Sequence, residues 1–134
     1  MLTEKDYCDY DTCVALKELG FNGFSQGTYD INGKLTFRTA WLDNRRAEVL
    51  GLNIIAPHLC DAQKWLREEK SIYVTVGCPL IMNEGLGWSY EVYDKPWNGY
   101  SDDDCLKASG GAYDSYEDAL SEGLRKAVKI LKEK

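Results

Sequence analysis

Ile72-Tyr73-Val74-Thr75-Val76, Trp88-Ser89-Tyr90-Glu91-Val92-Tyr93 and Ser115-Tyr116-Glu117-Asp118-Ala119-Leu120-Ser121-Glu122-Gly123-Leu124-Arg125-Lys126-Ala127-Val128-Lys129-Ile130-Leu131-Lys132 decide the fold. The first two runs alternate with period two, which is the signature of half-buried strands. Ile72, Val74 and Val76 share one face, and Trp88, Tyr90 and Val92 share the face expected to join them on the core side. The third run is an amphipathic helix. Ser115 with Asp118 has capping-box spacing, and Tyr116, Leu120, Leu124, Ala127, Val128 and Leu131 form an apolar stripe. Acidic residues load its first half and basic ones its second, which suits the helix dipole and offers Glu122–Lys126 at i,i+4.

Working outward, the loop before this helix is long. Asp94–Ala112 carries Pro96, Asn98-Gly99, Asp102-Asp103-Asp104 and Gly110-Gly111, and a loop of that length in a small domain is mobile or functional. Upstream of Ile72, Leu59, Ala62, Trp65 and Leu66 fall on one side at helical spacing, with Pro57 suited to the first turn. Further back, Thr28–Ile31 and Lys34–Thr39 flank Asn32-Gly33, which predicts a hairpin with a type I′ turn. Ala40–Ala56 has no clear period; Asp43–Arg46 reads as a turn and Val49–Ile55 as a short strand or packed segment. The first helix falls within Tyr7–Leu19, with Thr3, Asp9 or Asp11 as N-cap. Gly20 and Phe21 are placed to end it in a Schellman motif, with Phe21 folding back on Leu16. The expected fold is therefore α+β: a mainly antiparallel sheet of about four strands packed by about three helices, in the order α-ββ-α-ββ-α. At 134 residues it forms one domain over residues 1–134.

Composition narrows the function classes. The net charge of −6 repels a phosphate backbone and argues against a general nucleic-acid-coating role. The polar start Met1–Asp6 lacks the basic and apolar regions of a secretory signal, and no apolar run approaches the ~20 residues of a membrane span. A cytoplasmic location and no membrane partner are the resulting expectations. Cys8, Cys13, Cys60, Cys78 and Cys105 are odd in number and scattered, so they read as free thiols rather than a disulfide framework.

Residues that could carry chemistry are few. His58 is the only histidine, and a helix start beside Pro57 is an ordinary place for one. Cys60 lies two positions on, on a different side of a helix. Cys8-x4-Cys13 with His58-x-Cys60 misses the usual zinc spacings, and Cys13 fits the apolar face of the first helix. Three consecutive aspartates do not alternate as calcium ligands do, and Gly110-Gly111 lacks a phosphate-loop pattern. The residues thus lean away from an enzyme: no catalytic residue, metal ligand or cofactor is assigned, and a small zinc- or thiol-dependent protein is an alternative. The aromatics are the least ordinary feature. Tyr73 and Tyr93 are expected together on the sheet face away from the helices, with Trp97 and Tyr100 in the adjoining loop. These four are the candidate contacts for a protein partner.

Val14–Phe21 (VALKELGF), Ala56–Val76 (APHLCDAQKWLREEKSIYVTV) and Tyr113–Leu131 (YDSYEDALSEGLRKAVKIL), about a third of the chain, resemble a family of small uncharacterised proteins of gut Bacteroides-type bacteria and their phages or prophages. The closing strand-to-helix pattern also occurs in HicB-like antitoxins. The resemblance implies a compact α+β fold and a mobile-element context, and it transfers no functional residue; the cysteines and the aspartate run stand outside its pattern. Together these readings point to a non-enzymatic cytoplasmic accessory protein of phage or prophage origin that binds another protein. An antitoxin-like or nucleic-acid-binding module is the alternative, suggested by that ending and by the basic run Arg125–Lys132.

Overall fold

In a computed structural model of the chain, which describes residues 3–77, 87–95, 105–109 and 113–133, the α+β expectation holds. A 3-10 turn, Glu4–Asp6, precedes α1 (Tyr10–Glu18). Then come β1 (Ser25–Tyr29), β2 (Leu35–Leu42), α2 (Asn44–Val49), β3 (Ile54–Ala56), α3 (Leu59–Lys70), β4 (Tyr73–Gly77), β5 (Ser89–Tyr93), β6 (Cys105–Ala108) and α4 (Tyr116–Lys132). The strands form two antiparallel three-stranded sheets, β2-β1-β3 and β4-β5-β6, where a single sheet of about four strands was expected.

Local chemistry explains the element ends. The Asp9 carboxylate accepts from Thr12 N–H at 2.8 Å and caps α1, while the Asp6 carboxylate accepts from Thr3 N–H at 2.6 Å one turn earlier. Cys8 and Cys13 occupy N′ and N4 of that cap, the two positions of a hydrophobic staple, and both are buried. At the other end, Gly20 has φ +95°, Phe21 N–H donates to Leu16 C=O at 2.9 Å and Gly20 N–H to Lys17 C=O at 3.0 Å, which is the Schellman pattern. Ser115 Oγ accepts from Asp118 N–H at 3.1 Å to start α4.

The first hairpin departs from expectation in its turn. Only Gly33 takes a positive φ; Asn32 does not. Gly33 N–H donates to Asp30 C=O at 2.9 Å, and Asp30 N–H to Lys34 C=O at 3.0 Å. The loop is thus a three-residue connection, Ile31-Asn32-Gly33, in which glycine sits one place later than a type I′ turn requires. The Asp30 side chain selects it: Oδ1 accepts from the N–H groups of both Asn32 and Lys34, at 2.8 and 2.9 Å.

Three further corrections follow. Asp43–Arg46 is not merely a turn: Asp43 Oδ1 accepts from Arg46 N–H at 2.8 Å and caps a short helix, α2. Pro57 stands before the N-cap His58 rather than within the first turn of α3. Within the span read as loop, Cys105–Ala108 pairs with β5.

The helices join the sheets. α1 packs on β3, and α4 packs on α1, α3, β4, β5 and the N-terminal 3-10 turn, while α3 packs on β4. Leu16, Ile55, Leu66, Ile72, Leu120 and Leu124 are fully buried at these contacts. Val74 pairs with Val92 and Val76 with Tyr90, so the expected apolar face forms, and α4 lies on it. Ala119, Gly123 and Ala127, at i, i+4 and i+8 of α4, are buried small residues. A Cβ on Gly123 would lie 2.7 Å from Val74 Cγ1 and 3.0 Å from Tyr90 Cβ, so this helix sits as close to the sheet as glycine permits.

Candidate functional site

Of the four aromatics singled out in the sequence, two lie among the described residues. Tyr73 and Tyr93 are direct cross-strand partners, as expected. Tyr73 is half-buried, whereas Tyr93 is only 2% exposed and its hydroxyl donates to Glu91 Oε2 at 2.8 Å. This pair therefore does not offer two open rings. Trp97 and Tyr100 lie outside the described residues.

The exposed aromatics stand elsewhere. Phe37 and Trp41, both on β2, are 54% and 56% exposed. Beneath them is a ring cluster. Phe37 lies 5.1 Å from Tyr7, centroid to centroid, Tyr7 meets His58 edge-on at 4.6 Å, and Trp41 is 6.4 Å from His58. His58 is thus packed among aromatics at the end of β3, where a bridge joins it to Tyr7. Burial holds the Tyr7 phenol above its ordinary pKa, with a smaller push from Asp6. The sequence signal for this strand was present in the alternation that puts Leu35 and Phe37 on one face, and the charged Arg38 in mid-strand was an available sign of an edge strand.

β2 is the edge of its sheet. Asp30 and Lys34 are bonded across the hairpin, and antiparallel pairs alternate between bonded and non-bonded. Thr28–Thr36 is then a bonded pair, and Leu35 and Phe37 turn their N–H and C=O groups outward. Among the described residues no hydrogen bond reaches those outward groups. The edges of β3 and β4 differ. Ile55 N–H donates to Asn44 Oδ1 at 3.1 Å, Cys8 N–H donates to Pro57 C=O at 2.9 Å, and the Val74 carbonyl accepts from Gln63 Nε2 at 2.6 Å. Past Phe37 the pairing is irregular: residues 38–41 stand against Gln26 alone, and Gln26 Nε2 donates to Thr39 C=O at 3.0 Å.

Two grooves adjoin this strand. One, of about 340 Å³, includes Thr28, Asp30, Thr36, Arg38 and Asn53; the other, of about 410 Å³, includes Phe37, Ala40, Leu42 and Leu50, and Arg38 and Leu52 line both. Arg38 is exposed and makes no ion pair among the described residues, although Asp30 shares a groove with it.

A third groove, of about 350 Å³, separates α1 from the C-terminal half of α4. Arg125, Lys126, Lys129 and Lys132 line it, but so do Asp11 and Glu133. Glu122 lies 3.6 Å from Arg125 and 3.7 Å from Lys126, and Lys132 pairs with Glu18. The basic run is therefore largely answered by acidic side chains and gives no uniform phosphate track.

Cys8 and Cys13 are buried under the start of α1, where Cys13 Sγ donates to the Cys8 carbonyl at 3.5 Å, and Cys60 is exposed on α3. Burial raises the Cys13 thiol well above its ordinary pKa, with a further push from Cys8. The Tyr29 hydroxyl donates to the same Cys8 carbonyl at 2.8 Å, and burial raises its pKa too. Among the described residues no group of three or more His, Cys, Asp or Glu side chains is placed to hold a metal ion. No described helix is long and apolar enough to cross a membrane.

No protein-family model matches the chain, and neither a curated protein nor a solved structure shows significant similarity to it.

Proposed function

We propose that the protein is a non-enzymatic cytoplasmic accessory protein of phage or prophage origin that binds another protein through the β2 side of its first sheet. One observation carries the reading: Phe37 and Trp41 expose more than half their surface on an edge strand whose outward backbone groups lack partners among the described residues. Large exposed aromatics beside grooves are the usual anchors of protein interfaces. The mobile-element origin rests on the sequence resemblance, and the cytoplasmic setting on the free-thiol reading of the cysteines. The antitoxin-like alternative is less well supported, because Glu122 and Glu18 pair with three of the four cations on which it would rely.

Affinity capture from the source cells, with Phe37→Ala/Trp41→Ala as the control, tests the proposal. Wild type should recover a discrete protein that the folded double variant loses. Equal recovery by both removes this surface from consideration. A binding titration at low salt with single- and double-stranded nucleic acid should stay flat, since phosphate-driven binding is strongest there.

A further inference from the structure

The β2 edge has a polarity that specifies its occupant. Building on the protein-binding reading, we infer that β2 takes up a short extended segment of another protein by strand addition, and that this segment carries an acidic residue opposite Arg38 and an apolar residue opposite Phe37. Leu35 and Phe37 point N–H and C=O outward in the spacing a new antiparallel or parallel strand requires. The devices that usually protect a sheet edge are confined to the second half of β2, where Arg38 places a charge and the bulge at residues 38–41 ends regular pairing; residues 35–37 contain neither Pro nor a charge.

Charge selects the partner. Arg38 sits where the two grooves meet, and no carboxylate among the described residues pairs with it. Asp30, in the same groove, has Oδ1 committed to the N–H groups of Asn32 and Lys34. Arg45 and Arg46, also without ion pairs among the described residues, follow just beyond the strand. In a chain of net charge −6, Arg38 is thus a cation on the β2 edge without an ion pair among the described residues. Side chains alternate along an added strand, so one face meets Arg38 and the groove it shares with Asp30, while the other meets Phe37 and the Tyr7 ring beneath it. A guanidinium held over a groove favours a carboxylate through a charge-assisted, two-point contact.

Selection of a random peptide library displayed on phage against the full chain supplies the probe. The expected consensus is extended, with an acidic position next to an apolar one. Arg38→Glu should weaken the selected peptide by about tenfold or more, the scale of one charge-assisted hydrogen bond. Replacing the peptide's acidic residue by Lys should recover part of that loss. N-methylation at alternate backbone positions should abolish binding, which a purely side-chain contact would not require. The inference is overturned by a library that yields no binder, by a consensus without an acidic position, by binding indifferent to Arg38→Glu or to N-methylation, or by a self-association of this chain that uses β2. If the library fails while the Phe37→Ala/Trp41→Ala control still abolishes capture of a cellular protein, the surface binds a folded partner. Strand addition then falls and the broader proposal stands.

Discussion

Gly123→Ala is the sharpest test of how α4 sits on its sheet. In an exposed helix interior this change stabilises by about 1 kcal/mol, because alanine restricts the unfolded chain and is the better helix former. Here the added Cβ would lie 2.7 Å from Val74 Cγ1 and 3.0 Å from Tyr90 Cβ, where carbon atoms normally rest about 3.5–4.0 Å apart. The Val74 methyl could rotate, but Tyr90 Cβ is fixed to the β5 backbone. Relief requires α4 to lift, loosening Ala119, Leu120, Leu124, Ala127 and Val128 together. Overpacking of this kind costs about 1–3 kcal/mol, so it overrides the propensity gain and leaves a net loss of about 1 kcal/mol or more. Urea denaturation followed by circular dichroism reads the difference. Val74→Ala should partly rescue the variant, with a coupling of about 0.5 kcal/mol or more in a double-mutant cycle. A Gly123→Ala protein as stable as wild type, or more so, would refute the close approach of helix and sheet.

Three other outcomes follow from buried polar groups and thiols. Tyr29→Phe should destabilise by about 1 kcal/mol in the same denaturation assay, because it leaves the buried Cys8 carbonyl with only the weak Cys13 Sγ donor in place of the hydroxyl at 2.8 Å. Stability should fall as pH rises above about 8.5, the ordinary thiol value: the native state holds the Cys13 proton that the unfolded chain releases, so this contribution is whole below that pH and is lost above it, at up to about 1.4 kcal/mol per pH unit. Cys13→Ala should flatten that decline before the tyrosines titrate. Iodoacetamide labelling of the native protein, mapped by mass spectrometry, should modify Cys60 and spare Cys8 and Cys13, which become reactive only in denaturant.

The elements that were readable in the sequence are those set by neighbouring residues. α4 announces itself through Ser115, its stripe and its charge order, and α1 through its Gly20–Phe21 ending, while Thr3, Asp9 and Asp11 competed for its start. β4 and β5 alternate cleanly, and their core-facing register follows from that alternation. What escaped depends on distant partners. β6 is four residues among Asp, Gly and Pro, and only its pairing with β5 makes it a strand. α2 hides behind Asp43-Asn44, residues that suit a turn as well as a cap. The division into two sheets is a choice of partners that no period encodes. The candidate site shows the same limit. Alternation placed Tyr73 and Tyr93 side by side correctly, but burial of the Tyr93 ring depends on what covers it. Phe37 and Trp41 became visible as surface only once β2 proved to be an edge.

α4 covers the second sheet and packs on α1, which in turn packs on β3 of the first, and the residues of α4 are translated after those of every described strand. Until α4 emerges from the ribosome, the apolar face of β5 lacks its helix cover, and α1 and β4 have only β3 and α3, respectively, to close against. The nascent chain therefore passes through an interval in which part of its future core is solvent-facing, and this late cover makes it a natural client for chaperones that shield greasy surfaces during synthesis.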